Sequence, residues 1–280
     1  YAEADGYTKN LLPGKDDMDQ LKQYGVRLSL LWEPTDELSF ILRASTSEAS
    51  GVAHGVVATP GPAGVGGGVY GLFNSIDPVT NPATDDFRTG LNDHENEANR
   101  VQRETLATDS ASLTINYDLS DRLALTSITS WDDGQFELPE DSDGTSLDVL
   151  FIPYDFDANQ VTQDLRLTSN LGGPFDFIVG GYLSREVVEG GASISIFSDI
   201  DLNFDGSLNY QDCIDSVATI GTEAQVFPAG CTVSNDYEQT RDSAAIYFDG
   251  SYGLTDAVKL RFGARYTHDS GDLDGFRSLL

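Results

Sequence analysis

The segment from Asp201 to Asp212 carries the densest pattern of metal-binding side chains in the sequence. It reads DLNFDGSLNYQD, with oxygen donors at positions 1, 3, 5, 9 and 12 and glycine at position 6. Calcium takes roughly six to eight oxygen ligands, and glycine at the sixth position permits the sharp turn of such a loop. The spacing therefore predicts a calcium site. Its ligands would be Asp201, Asn203, Asp205, Ser207 through its carbonyl, Asn209 and Asp212.

An ordinary turn is the alternative interpretation of this loop, because Asp, Asn and Gly are common turn residues and the chain is rich in acids. Asp212 is also shorter than the glutamate that closes many calcium loops, which makes bidentate coordination less favourable. A filled site would neutralise and order the loop. Calcium is the only cofactor that the sequence predicts.

Two cysteines, Cys213 and Cys231, lie in the same polar stretch. In an oxidising compartment they predict a disulfide that closes the segment next to the calcium loop. Two unrelated thiols are the alternative.

The remaining candidates for chemistry are weak. His54 and His94 share a predicted loop, but their spacing matches no known metal site, so solvated loop residues are the favoured interpretation. No nucleophile, zinc-protease or paired-cysteine motif is present, and we predict that the protein is not an enzyme. A net charge of −30 excludes nucleic acid as a partner, because phosphate binding requires clustered Lys and Arg.

Alternation of apolar and polar residues with a period of two dominates the chain and predicts β-strands. No run of about 18 apolar residues occurs, which excludes a transmembrane helix but not a transmembrane barrel. Several runs reach the roughly 9–11 residues that a tilted strand needs to cross a bilayer. The eight predicted strands cover about 23–33, 37–48, 111–119, 122–133, 159–170, 175–189, 240–253 and 257–269.

The connections between these strands alternate between short and long. The predicted long loops cover about 49–110, 134–158 and 190–239. Short turns at one end of the strands and long loops at the other are typical of outer-membrane barrels, whereas globular domains rarely carry irregular loops of such length. The sequence therefore predicts an all-β fold, an antiparallel up-and-down transmembrane β-barrel segment of about eight strands with long extracellular loops.

Three of the short turns resemble one another. Each follows an aromatic residue and carries Thr-Asp or Ser-Asp before the next apolar run. Thr, Ser and Asp side chains fix tight turns by bonding to nearby backbone amides. The aromatic residues Trp32, Tyr117 and Tyr252 would then lie at the depth of an interfacial aromatic girdle. Ordinary hairpin chemistry, repeated by chance, is the alternative.

Four segments resemble the barrel of TonB-dependent receptors in their order and spacing. They are Gly25–Leu38, Leu123–Trp131, Gln163–Ser169 followed by Phe175–Tyr182, and Phe248–Asp269. The resemblance implies a larger barrel in the outer membrane of a Gram-negative bacterium, with lipid outside it and a plug domain inside. It also implies that the energy-coupling TonB protein is a partner and that a small-molecule nutrient is the cargo.

The segments that the family uses for the plug and for TonB engagement do not occur in residues 1–280, and a complete barrel needs more strands. We therefore expect an internal fragment of the barrel domain. The basic residues Arg43, Lys259, Arg261 and Arg265 should face the plug or lumen, or simply satisfy a polar interior.

The predicted function is the barrel wall of a receptor for TonB-dependent uptake of a bulky nutrient, such as a siderophore, cobalamin or a saccharide. One alternative is a secreted or surface calcium-binding β-protein for adhesion or carbohydrate binding. A porin-like channel is another.

Overall fold

A single antiparallel sheet accounts for most of the structure, a computed structural model that describes residues 1–57, 92–144, 146, 148, 150–196, 232–255 and 257–279. The calcium loop and both cysteines lie outside these residues. The described strands are β1 (Ala2–Ala4), β2 (Lys9–Asn10), β3 (Leu21–Thr35), β4 (Leu38–Val52), β5 (Glu95–Asn96), β6 (Arg103–Ser120), β7 (Leu123–Asp141), β8 (Leu150–Ser169), β9 (Phe175–Ile196), β10 (Thr232–Thr255) and β11 (Val258–Leu279).

Nine of the strands form the sheet in the order β1-β3-β4-β6-β7-β8-β9-β10-β11. Each long strand pairs with its predecessor among the long strands, which is up-and-down topology. Within the described part of the chain β11 forms one edge and β3, with β1 beside it, forms the other, so the sheet is open. The short strands β2 and β5 form a separate parallel pair. The described residues contain no helix with the length and apolar character of a membrane span.

All eight predicted strands are present, and the all-β antiparallel fold is confirmed. The predicted loop boundaries, however, were wrong. Most of the predicted loop 134–158 is strand, since β7 ends at Asp141 and β8 begins at Leu150. Likewise β4 and β6 extend into 49–110, and β9 and β10 extend into 190–239. The eight long strands have 15 to 24 residues, well beyond the roughly 9–11 needed to span a bilayer.

The three similar turns share one hydrogen-bond geometry. In each, a backbone N–H donates to the Oγ of a Thr or Ser two residues earlier, at 3.3 Å. The acceptors are Thr35, Ser120 and Thr255, and a register shift precedes each turn. The same Thr/Ser chemistry therefore closes three hairpins at one end of the sheet. We call the half of the sheet beside these turns the short-turn half and the opposite half the long-loop half.

Constant pairing register fixes which side chains share a face of the sheet, because directly opposed residues point to the same side. Leu30 opposes Leu42, and Leu42 opposes Leu113. On β9 and β10, Val179 opposes Phe248. We call the face of the sheet that carries these side chains the outer face, and the opposite face the inner face. Leu28 and Trp32 share this face with Leu30.

The outer face of the short-turn half is apolar and uncovered. Many of its large side chains are more than 40% exposed, including Leu30, Trp32, Leu165 and Phe262. The only other sheet among the described residues is the small β2-β5 pair. A soluble sandwich would bury such a face against a second sheet, so this arrangement differs from that of a water-soluble sheet protein.

Candidate functional site

The inner face of the short-turn half carries a polar bridge across three strands. The Tyr247 hydroxyl on β10 donates to the Asp164 carboxylate on β8, with an O–O distance of 2.9 Å. Gly180 on the intervening β9 makes this possible: a Cβ there would lie 2.4 Å from the Tyr247 ring. The tyrosine therefore crosses over the glycine of β9 to brace β8, the second strand along.

Basic side chains join this bridge. The Arg265 guanidinium lies 5.7 Å from the ring centroids of both Tyr182 and Tyr247, within the range of a cation–π interaction. By register, Arg43, Lys259 and Arg261 also lie on the inner face. The grouping of the four basic residues on one face is confirmed.

The inner face changes character in the long-loop half, where it becomes apolar. One row of directly opposed residues runs from Leu106 to Phe136, Phe156, Gly190 and Tyr237. These positions lie on β6, β7, β8, β9 and β10 in turn. The Phe156 and Tyr237 ring centroids are 6.2 Å apart. We call this set the aromatic row.

The outer face changes in the opposite sense. In the long-loop half, one row of directly opposed residues contains Asp157, Glu189, Glu238 and Asp274. All four are exposed. Like charges directly opposite one another in a sheet are destabilising unless solvent screens them. This face therefore requires water, whereas the outer face of the short-turn half is uncovered and apolar.

A small folded cap sits on the long-loop end of the first strands. Met18, Ala53 and Ala98 are fully buried there. The Met18 N–H donates to the Thr8 carbonyl, and the Asn10 side chain donates to the Ala98 carbonyl. The amino-terminal 20 residues therefore pack against the loop that precedes β6.

Asp141 connects this cap to the loop after β7. Its carboxylate accepts N–H bonds from Arg100 at 3.1 Å and Gly144 at 3.2 Å, and only 1% of the residue is exposed. Burial and the negative charge of Asp143 raise the pKa of Asp141 to about 6. The Arg100 side chain pairs with Asp148 and stacks on the Phe151 ring. Asp141 therefore titrates in a mildly acidic range at a contact between two loops.

The two predicted loop histidines contact different residues. His54 lies 3.9 Å from Glu104 and 3.7 Å from Glu140, with 46% of its side chain exposed. His94 makes an edge contact with the Tyr7 ring. No group of three or more metal-binding side chains occurs among the residues that the structure describes. The calcium loop and the Cys213–Cys231 disulfide stay predictions.

The aromatic row was not predicted from the sequence. Its signal was present, because Phe136 and Phe156 alternate with the acidic residues Glu137, Asp155 and Asp157. The alternation continues from the short-turn half into the long-loop half, but there the apolar residues lie on the inner face instead of the outer face. Strand prediction that follows one apolar face therefore stops where the apolar residues change face.

Comparisons with known proteins agree with this architecture. The family model described as TonB dependent receptor-like, beta-barrel matches residues 54–279. No curated protein sequence matches this chain. Among solved structures, the ferric yersiniabactin uptake receptor FyuA from Yersinia pestis is similar over 99% of this chain and 36% of its own, with 16% identity and a TM-score of 0.60.

Two further receptors show the same fold. BauA, the ferric preacinetobactin receptor from Acinetobacter baumannii, has 13% identity and a TM-score of 0.54 over 95% of this chain and 37% of its own. Fiu, the ferric-catecholate import receptor from E. coli K12, has 14% identity and a TM-score of 0.53 over 97% and 39%. The chain therefore spans a little over a third of the length of each of these structures. From the family match over most of its length, we conclude that this chain belongs to the TonB-dependent receptor β-barrel family.

Proposed function

We propose that this chain forms part of the barrel wall of an outer-membrane receptor that takes up ferric siderophores with energy from TonB. The family consists of transport receptors rather than enzymes. FyuA and BauA, which share the fold, are receptors for ferric yersiniabactin and ferric preacinetobactin. The outer-membrane lipid, a plug domain and TonB are the partners that this proposal requires.

The main support for the proposal is the uncovered apolar outer face of the short-turn half, which we call the apolar band. On β11 the outer-face residues from Val258 to Tyr266 are Val258, Leu260, Phe262, Ala264 and Tyr266, and His268 follows them. At about 3.4 Å per residue and a tilt of roughly 40°, such a segment rises about 21 Å, close to the roughly 25 Å height of the apolar band of membrane barrels. The band matches a bilayer in both chemistry and height.

Aromatic side chains mark the short-turn edge of this band. Trp32 stacks on Phe40 with ring centroids 5.1 Å apart, and Tyr117 and Tyr252 are each more than 40% exposed. Such rings favour the membrane–water interface because one end is apolar and the other end is polar. They support a location of the short turns at a membrane–water interface. Because short turns are periplasmic and long loops extracellular in such barrels, we assign the short turns to the periplasmic side.

Uptake by cells that carry the full-length protein tests the proposal. Deletion of the gene should abolish accumulation of iron-55 supplied on at least one member of a siderophore panel, and a plasmid copy should restore it. A protonophore should stop accumulation in the complemented strain, since the transport is energised. Unchanged accumulation across the panel after deletion would contradict the siderophore assignment.

A further inference from the structure

We infer that a groove on the outer face, between β8 and β11, binds one zwitterionic phospholipid whose headgroup carries a phosphate and an ammonium group, as in phosphatidylethanolamine. This inference goes beyond the proposed function and requires only that the apolar band lies in the membrane. Two observations carry it: a hollow in the apolar band, and the order of the chemical groups from that hollow to its end in the long-loop half.

Two small residues, Gly181 on β9 and Ala244 on β10, form the floor of the hollow. Gly181 directly opposes Ile246, and Ala244 directly opposes Leu183. These two large side chains are 69% and 59% exposed and form walls on either side of the floor. An empty hollow loses van der Waals contacts that a flexible acyl chain can supply. We call this hollow the outer groove.

The space above Gly181 is open. A Cβ on this glycine would have only the Ala245 carbonyl oxygen within 4 Å, at 3.7 Å. Gly180, the preceding residue, is different, because a Cβ there would lie 2.4 Å from the Tyr247 ring on the inner face. Packing within the sheet therefore explains the glycine at position 180, whereas the glycine at position 181 leaves room for a group from outside the sheet.

The outer groove ends at polar side chains in the long-loop direction. Gly181 lies in the apolar band, His268 lies one row farther beside Ala244, and Arg185, Asp242 and Ser270 lie in the row after that. These polar residues line the end of the groove. Successive rows on one face are about 5 Å apart along the axis of a barrel with strands tilted roughly 40°. A phospholipid presents an acyl chain and then a charged headgroup in the same order.

The charges at this end favour a headgroup with both signs. Arg185 and Asp242 are directly opposed on β9 and β10, so one position offers a cation and an anion side by side. A guanidinium binds phosphate through charge-assisted hydrogen bonds, and a carboxylate accepts such bonds from an ammonium group. A purely anionic headgroup would instead meet Asp242 and, in the next two rows, Asp272 and Glu189. Like charges repel, which disfavours such a lipid.

Titration of the full-length receptor with defined lipids, followed by native mass spectrometry in detergent after delipidation, tests the inference. Phosphatidylethanolamine, phosphatidylcholine and phosphatidylglycerol with identical acyl chains are the probes, and lipid A is a fourth. Phosphatidylcholine keeps both charges, but its methylated ammonium has no N–H to donate. We expect phosphatidylethanolamine to bind at least about fivefold more tightly than the other probes, the effect of a charge-assisted hydrogen bond. Equal affinities for the phospholipids, or tighter binding of lipid A, would overturn the headgroup assignment.

Substitutions that fill the hollow locate the acyl chain. Ala244→Leu should weaken binding of all three phospholipids about fivefold or more, because the new side chain occupies the groove and removes contacts of the chain. Gly181→Leu should have the same effect, since its Cβ has room. Ala111→Leu makes the matched change on the outer face of β6 and should leave binding unchanged. Equal losses in Ala244→Leu and Ala111→Leu, or no loss in either groove variant, would contradict the site.

Substitutions at the polar end separate the two charges of the headgroup. Arg185→Gln should weaken binding of all three phospholipids, because each carries a phosphate. Asp242→Asn should lower the affinity for phosphatidylethanolamine to that for phosphatidylcholine and leave phosphatidylcholine binding unchanged. Lys22→Gln removes a cation from the outer face of β3, away from the groove, and should have no effect. An unchanged preference in Asp242→Asn would show that this carboxylate does not read the headgroup.

Iron uptake measured on the same protein distinguishes this inference from the proposed function. A wild-type receptor that transports iron but binds the phospholipids equally would overturn the lipid site and leave the proposed function in place. Selective binding of phosphatidylethanolamine without iron uptake would contradict the siderophore assignment and support the lipid site.

Discussion

The short-turn half and the long-loop half of the sheet use the same strands and the same alternation for opposite surroundings. In the short-turn half, apolar residues such as Val179 lie on the outer face and polar residues such as Asp164 lie on the inner face. In the long-loop half, Asp157 is on the outer face and Phe156 is on the inner face. No register shift separates the two patterns along β7, β8 and β9.

This change of the apolar residues from the outer to the inner face shows two separate effects. Alternation itself specifies a strand, whereas the choice of which face is apolar reflects the surroundings of that face. Backbone pairing continues through both halves, because every residue other than proline carries one donor and one acceptor whatever its side chain is. Which face is apolar depends only on what lies beside that face. A receptor wall that passes from lipid into water therefore exchanges its two faces without breaking the sheet.

A charge placed on the outer face should separate the two halves most strongly. Val179→Arg, in the apolar band, should lower the free energy of unfolding of the full-length protein in liposomes by about 2–4 kcal/mol. Glu189→Arg, on the same strand and face but in the long-loop half, should have little effect or a small stabilising one. Chemical denaturation followed by tryptophan fluorescence measures both. Equal losses would mean that the halves share one environment.

Substitution of Asp141, the titrating carboxylate at the cap, should abolish the pH dependence of cap stability in the long-loop half. Because the pKa of Asp141 is raised from 3.8 to about 6 in the folded cap, its stabilising effect is complete below pH 3.8 and is lost as the pH rises through 6. The loss amounts to at most about 3 kcal/mol. Asp141→Asn should make cap stability independent of pH over this window.

Hydrogen exchange at the Arg100 amide, corrected for the intrinsic rate, measures this effect, because that amide donates to Asp141. Asp155→Asn, an exposed residue on β8, is the matched control and should keep the wild-type profile. A wild-type profile in Asp141→Asn would assign the pH dependence to another group.

The tyrosine bridge should contribute a smaller amount in the short-turn half. Tyr247→Phe removes the hydroxyl that donates to Asp164, and we expect a loss of about 1 kcal/mol in the free energy of unfolding, the usual net value of one hydrogen bond. Tyr252→Phe, on the outer face of the same strand, should cost less. A larger loss in Tyr252→Phe would mean that the bridge is not a brace.

Relief of charge repulsion in the long-loop half should have the smallest effect. Glu189 lies between Asp157 and Glu238 in one row, so Glu189→Gln should raise the free energy of unfolding by roughly 0.5 kcal/mol. The gain should shrink in about 0.5 M salt because exposed charges are screened. A gain that persists at high salt would point to packing rather than charge.

Much of the fold was predictable from local patterns. Alternation located all eight long strands, and Thr35, Ser120 and Thr255 identified turns whose side chains do bond to the backbone. Loop boundaries were not predictable from a single apolar face, since β7 and β8 continue after their faces exchange.

Longer-range features were beyond sequence patterns. Packing of Met18 against the loop before β6 joins segments about 80 residues apart, and no local signal announces it. The aromatic row required the register of five strands before its members could be placed side by side. Local alternation predicts each strand, whereas the register between strands determines which side chains lie side by side on a face of the sheet.

Spin labels along β9 of the full-length receptor in liposomes test the exchange of surroundings most directly. Labels at the outer-face positions 177, 179 and 183 should relax strongly with oxygen, which concentrates in lipid, and those at 185 and 189 should relax strongly with a water-soluble nickel chelate. Strong nickel relaxation at 179 and 183, equal to that at 189, would contradict the membrane assignment of the apolar band.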